Sequence, residues 1–442
     1  MHQQFKFKTT QDLLQKAEEL DLNLPFQESL DPLFETITIG SKTIPNRFAV
    51  QPMEGFDSNP DGSPSEYTFR RYKRYAEGGS GLIWFEATSV VQEGRSNPRQ
   101  LLLNKRTLDS FKQLVDHTRQ SAHKEFGNSH DPFLVLQITH SGRYSKPEGK
   151  PLNKVGCYNP HLDKRKEDIT LFSDDELDRL KETLVEAVRL THKAGFDAVD
   201  IKACHGYLLH ELLSVYTRTN SRYGGSFENR IRLLVDVVKQ AQQEIPEITI
   251  AVRMNATDGI PYPYGFGVPE DGSLVIDLSE PKVLISKLIE NGCSLLNITT
   301  GIPYHSPQLV RPFDRPIGGS SVPKEHPLEG VMRLLNVTGE LQREFNNIPF
   351  VGTGYSWLRN FYPYIGAAVI ERGMASLIGL GRGSFAYPDA PKDLMNTGKM
   401  IHRKSCITCS KCTELMRQNN ITGCVTRDSE IYGNEYKTIR QD

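Results

Sequence analysis

From about residue 34 to residue 385 the chain alternates short, almost wholly apolar runs with longer stretches whose apolar residues recur every three or four positions. The short runs read as strands buried on both faces and the longer ones as amphipathic helices. FETITIG followed by KTIPNRFAVQPM predicts a hairpin leading into a strand that ends near Pro52 and Met53. Seven more runs follow, GLIWFEATS (81–89), PFLVLQIT (132–139), DAVDIK (197–202), ITIAVRM (248–254), SLLNIT (294–299), IPFVGT (348–353) and ASLIGLG (375–381). Between them, SDDELDRLKETLVEAVRLTHKAG opens on Ser173 as N-cap with acids in its first turn, and FENRIRLLVDVVKQAQQEI has the same helical period. The first thirty residues predict an appended capped helix, with Thr10 before DLLQKAEEL, and then a Pro-containing linker.

Eight strands alternating with helices imply parallel βαβ units, hence an α/β protein, and fit a (β/α)8 TIM barrel better than a doubly wound sheet. The expected organisation is an N-terminal helical extension (1–32), the barrel (33–392) and a C-terminal cysteine-rich tail (393–442). Barrel chemistry gathers at the C-terminal ends of the strands. Those ends carry Met53 and Glu54, Ala87, Gln137, Lys202 with His205 and Tyr207, and Arg253. Strands seven and eight end in FVGTGYSW and IGLGRGSF, where glycines let backbone N–H groups approach an anion and Arg382 offers a bidentate donor. Plain turn chemistry also accounts for such glycine pairs.

A length of 442 residues with 38% hydrophobic content supports a large core, and a net charge of −1 provides no field for nucleic acid or an anionic membrane. No apolar run has the length of a signal peptide or a membrane span, so the reading is a cytoplasmic protein. Of seven cysteines, Cys157, Cys204 and Cys293 are scattered, whereas Cys406, Cys409, Cys412 and Cys424 crowd into 19 residues. That distribution suits a metal-type site in a reducing compartment, and four thiolates alone serve zinc or an iron–sulfur cluster equally well.

CHGYLLHELLSVYTRTNSRYGGSFENRIRLLVDVV resembles the signature of the old yellow enzyme family, as do NRFAVQPM, FEATSVVQEGR, LQITHSGR, VRM and GLGRGSFAYPD at their strands. The resemblance covers about residues 33–390 and implies a flavin-dependent barrel oxidoreductase with FMN at its mouth. Pro52, Met53 and Ala87 would touch the flavin ring through backbone, and Gln137 would bind its pyrimidine edge. Arg253 would sit near N1 and O2, and Gly354, Gly381 and Arg382 would take the phosphate. CITCSKC with Cys424 resembles the iron–sulfur segment of the trimethylamine dehydrogenase and 2,4-dienoyl-CoA reductase branch, implying a [4Fe–4S] cluster, with zinc as the alternative.

For the substrate, a small unsaturated molecule, the resemblance makes Tyr207 the proton donor, with His205 and Lys202 as the anchoring pair. Lys202 departs from the family's histidine; it either anchors an anionic substrate or pairs with Glu54 or another acid. GIPYHSPQL would bring His305 near Tyr207 as a relay. Glu54 stands where many relatives carry Cys or Thr, and a carboxylate there would lower the flavin potential unless protonated or paired. The chain stops 18 residues after Cys424 without a GxGxxG-type unit, so the reductant is expected to be NAD(P)H docking directly or an electron-transfer protein acting through the cluster. Reduction of an activated C=C bond is the leading activity. The alternatives are an amine or demethylating dehydrogenase, or a non-catalytic electron-transfer flavoprotein with a zinc tail. A homo-oligomer is left open.

Overall fold

The computed structural model describes residues 2–318 and 321–439; Gly319 and Ser320 of the 303–327 loop, and the last three residues of the tail, lie outside them. The eight strands are β1 (Phe48–Val50), β2 (Leu82–Ser89), β3 (Phe133–Thr139), β4 (Ala198–Ile201), β5 (Thr249–Asn255), β6 (Cys293–Thr299), β7 (Phe350–Gly352) and β8 (Leu377–Leu380). All pairs are parallel, and the Ile378–Phe48 register closes β8 onto β1, so the chain folds as a (β/α)8 TIM barrel. A helix or helical pair follows each strand, among them Asp174–Lys193, whose Ser173 and Glu176 form the expected capping box.

Alternation along the strands builds two cores. Ala49, Leu82, Trp84, Phe133, Val135, Ala198, Ala251, Leu295, Val351 and Leu377 point inward and fill the barrel. Ile83, Phe85, Leu134, Leu136, Val199 and Val252 point outward against the helices. The hairpin Ile37–Ile39 and Lys42–Ile44 plugs the N-terminal end with Ile39 and Ile44. One layer further up, the same inward face turns polar, at Gln51, Gln137, Asp200, Arg253 and Asn297, which is how period two delivers functional groups to the mouth.

The N-terminal helix, Thr10–Glu19, is capped by Thr9 rather than Thr10 because Thr9 and Asp12 exchange the reciprocal bonds of a capping box. It packs closely on the barrel: Phe5, Leu13, Ala17 and Leu24 share a core with Trp357, Leu358 and Ile365. The tail lies across the C-terminal face. Its own core of Leu415, Ile421, Val425, Tyr432 and Tyr436 is pinned by Asp428 to Arg70 and Arg74, and by the Thr422 N–H to the Gly55 carbonyl (2.7 Å).

Candidate active site at the barrel mouth

A cavity of about 150 Å³ opens at the C-terminal ends of the strands. It gathers Pro52 and Met53 after β1, Gln137 on β3, Lys202, His205 and Tyr207 after β4, Arg253 on β5, and Gly354, Gly381 and Arg382 after β7 and β8. Beneath it, Asp200 accepts from Gln137 Nε2 (2.6 Å), Trp84 Nε1 (2.9 Å) and the backbone N–H of Arg253 (2.7 Å), while the buried Arg253 Nε has no partner among the described residues. Burial lifts the Asp200 carboxyl to about 6. Gln51 and Asn297 bond each other reciprocally at 3.2 and 2.8 Å.

At the β4 end, Tyr207 donates its hydroxyl to Glu54 Oε2 (2.9 Å), and the Lys202 ammonium stands over the Tyr207 ring, 3.5 Å from its centre. Burial, and then the Glu54 charge, hold the Tyr207 phenol well above its ordinary range. Burial lowers Lys202, which Glu54 partly offsets, and among the described residues the lysine enters no ion pair. His205 occupies a left-handed backbone position (φ 65°) fixed by its N–H to Asn255 Oδ1 (3.1 Å), and its Nε2 lies 3.4 Å from Thr299 Oγ1. Burial, with Arg253 and Lys202 next, pushes its imidazole well below the ordinary range, so the ring is neutral. Glu54 is also held by Gln100 Nε2 (2.6 Å) and Ser96 Oγ (3.1 Å). The Gly55 N–H behind it donates to Glu86, itself bound to Arg71 (2.5 Å).

The opposite end of the cavity is an anion cradle. Arg382 gives Nη2 to the Pro312 carbonyl (2.6 Å), while its buried Nη1 and both terminal nitrogens of Arg311 have no partner. Burial, and then the charge of Arg382, lower the Arg311 guanidinium to about 9. Gly354 has φ 102°, and a Cβ on Gly381 would come within 2.9 Å of Met53 Sδ. The unpartnered guanidinium nitrogens and these glycines fit a flavin mononucleotide phosphate, with Gln137 and Arg253 at the ring end.

Two expected residues fall elsewhere. His305 is exposed and does not line the cavity, because the turn closed by its N–H to the Ile302 carbonyl (3.0 Å) faces it outward. Tyr304 lines the cavity instead, stacked on Tyr144 at 4.0 Å. Ala87 is buried and does not line the cavity, and its carbonyl accepts from Gln100 Nε2 (3.0 Å). Sequence reasoning missed Arg311, Tyr304 and the Thr413–Met416–Arg417 wall that the tail contributes. A second arginine in LVRPFDRP, at the phosphate end, was the one signal available for Arg311.

Beside the phosphate end, Cys406, Cys409, Cys412 and Cys424 line one small cavity under Arg382 and Phe385. Thr408 (φ 47°) and Ser410 (φ 61°) take left-handed backbone positions that curl CITCSKC. Thr408 N–H reaches Cys406 Sγ (3.4 Å), and Arg427 N–H reaches Cys424 Sγ (3.3 Å). Among the described residues, no three His, Cys, Asp or Glu side chains converge on a single-ion position. Nor is any helix among them long and apolar enough to cross a membrane.

The chain belongs to the NADH:flavin oxidoreductase / NADH oxidase family, whose model matches residues 32–266, and is an FMN-dependent oxidoreductase. It is 28% identical over 387 residues to an NADH oxidase of Thermoanaerobacter brockii, covering 86% of this chain and 52% of that one. The chain thus spans about half the length of this relative. Its fold is similar to that of a 2-naphthoyl-CoA reductase in complex with 2-naphthoyl-CoA (TM-score 0.73, 20% identity, 92% of this chain and 58% of that one). It is also similar to the old yellow enzyme homologue of Zymomonas mobilis (TM-score 0.59, 23% identity, 84% and 94%).

Proposed function

We propose that the protein reduces a carbon–carbon double bond conjugated to a carbonyl, in an enoate, an enone or an enoyl thioester. FMN, when bound, supplies the hydride for the β carbon. Two needs remain for this chain to meet: negative charge on the carbonyl oxygen must be stabilised, and the α carbon needs a proton. The observation that carries the reading is the convergence of Lys202, His205 and Tyr207 on one cavity. Lys202 stabilises the developing oxyanion, neutral His205 positions the carbonyl, and Tyr207, still protonated at neutral pH, gives the proton.

Pro52, Met53, Gln137 and Arg253 would hold the flavin ring, and Gly354, Gly381, Arg382 and Arg311 its phosphate. Oxidation of an amine is the weaker reading, because Lys202, Arg253, Arg311 and Arg417 make the lining hostile to a cationic substrate.

For the tail we propose a [4Fe–4S] cluster on Cys406, Cys409, Cys412 and Cys424. Four thiols lining one cavity support it, since each iron of a cluster takes one thiolate; zinc is the alternative. The reductant is then NAD(P)H at the flavin or a protein donor acting through the cluster. Anaerobic photoreduction followed by a panel of enoates and enones tests the activity. Reoxidation by a member of the panel is expected, and silence across a broad panel overturns the reading. Iron, sulfide and zinc analysis of anaerobically purified protein tests the tail: zinc without sulfide rejects the cluster.

A further inference from the structure

We infer that Glu54 is a positioning residue for the Tyr207 proton: its carboxylate, held from the loop after β2, orients the hydroxyl through which the site delivers a proton to its substrate. The inference rests on the reading of Tyr207 as proton donor.

The two residues come from different strand ends, β1 and β4, yet the Tyr207 hydroxyl touches both carboxylate oxygens, at 2.9 and 3.2 Å. Gln100 Nε2 (2.6 Å) and Ser96 Oγ (3.1 Å) both bond Oε1, fixing the carboxylate from the loop after β2. Both residues line the cavity, and His305 does not. The ionisable groups that face Glu54 are Lys202, Cys204, Tyr207 and Tyr304, and no cation pairs with it directly among the described residues.

The proton balance follows. A C–H bond forms at the α carbon as the enolate electron pair takes the proton, and the O–H bond of Tyr207 breaks. If Glu54 is ionised, this leaves phenolate against carboxylate, two anions in hydrogen-bond contact, with only Lys202 above the ring to compensate. If Glu54 is protonated, its proton passes to the phenolate oxygen, and a single carboxylate remains, which regains a proton from water at the cavity mouth. Proton delivery is therefore open with Glu54 protonated and hindered with it ionised. Removal of a proton from a substrate carbon is favoured in the opposite sense.

The test uses FMN-loaded, photoreduced enzyme and 2-cyclohexenone, with the reoxidation rate followed from pH 5 to 9. Glu54→Gln, which cannot pass a proton to Tyr207, should give a rate profile that differs from the parent's by about tenfold or more within that range, and Glu54→Asp should restore the parent profile. A second readout needs neither substrate nor flavin: ultraviolet difference titration of the Tyr207 phenol, with Tyr207→Phe as blank. Glu54→Gln should shift its ionisation to lower pH. Identical rate profiles in parent and Glu54→Gln, or a Tyr207 ionisation that does not move, overturn the inference. A parent that no enone or enoate reoxidises sinks the reductase reading, and the titration then decides the coupling by itself.

Discussion

The Lys202 ammonium rests on the face of the Tyr207 ring, 3.5 Å from its centre, without forming an ion pair among the described residues. A desolvated cation in this position interacts with the ring by about 2 kcal/mol and still keeps its hydrogen-bond donors free. One side chain therefore holds the Tyr207 ring and, in the proposed reaction, would offer a full charge to the substrate. The possibility that Lys202 is merely neutralised by Glu54 is disfavoured by this geometry.

Lys202→Met should consequently discriminate between substrates. An enoate that engages the ammonium should bind roughly 10- to 100-fold more weakly, as expected for loss of a charge-assisted hydrogen bond. A neutral enone should lose less. Titration of each ligand against the flavin absorbance of the oxidised enzyme measures both, and equal losses would remove the case for an anionic substrate.

Arg311 carries two buried, unpartnered terminal nitrogens and a guanidinium already depressed to about 9. In the apoprotein this is an uncompensated charge, and against the FMN phosphate it becomes a clamp. Arg311→Met should therefore move two quantities in opposite directions: the apoprotein melting temperature rises, while FMN binds about 10- to 100-fold more weakly. Calorimetry of the apoprotein and fluorescence titration with FMN check the pair. A fall in both would mean that Arg311 is simply structural.

Where the sequence had a period to follow, it led to the site. Gln137 and Arg253 fall on the inward face of β3 and β5 because Phe133, Val135 and Ala251 do, two and four residues earlier. Ala87 had no such period behind it: alternation from Ile83 and Phe85, which face the helices, does not point it inward, and it does not line the cavity. His305 and Tyr304 are neighbours in an aperiodic loop, and Tyr304 lines the cavity through contacts with Tyr144 and Arg417, 160 and 113 positions away. The tail's cysteines were conspicuous locally, whereas its part in walling the cavity depends on long-range docking that local pattern does not encode.

Asp200 gives a prediction for pH. Its folded carboxyl is raised from 3.8 to about 6, so between those values the folded state holds a proton that the unfolded chain has lost. Stability therefore falls as pH rises through this window, by on the order of 3 kcal/mol for a shift of this size, and the penalty is fully present above it. Asp200→Asn removes the titration. In denaturant melts of the apoprotein the parent should gain on the variant as pH drops from 7 to 4, and a constant difference would refute the assignment.

The cysteine tail and the substrate cavity share a helix. Lys411–Arg417 carries Cys412 on the thiol cavity, and Thr413, Met416 and Arg417 on the barrel-mouth cavity. Arg417 donates to the Pro303 carbonyl (2.7 Å) and covers the Tyr304 ring, which in turn stacks on Tyr144. Any loss of order at the thiols must therefore reach the substrate wall, by loosening contacts that are only partly buried. Cys412→Ser should lower the iron content and, in the same protein, raise KM for substrate-driven reoxidation of photoreduced enzyme by about fivefold or more. The limiting rate per bound FMN should stay within roughly threefold, since Lys202, His205 and Tyr207 follow β4 and are not part of the tail. Iron loss with an unchanged KM would separate the two cavities and leave the tail with electron transfer alone.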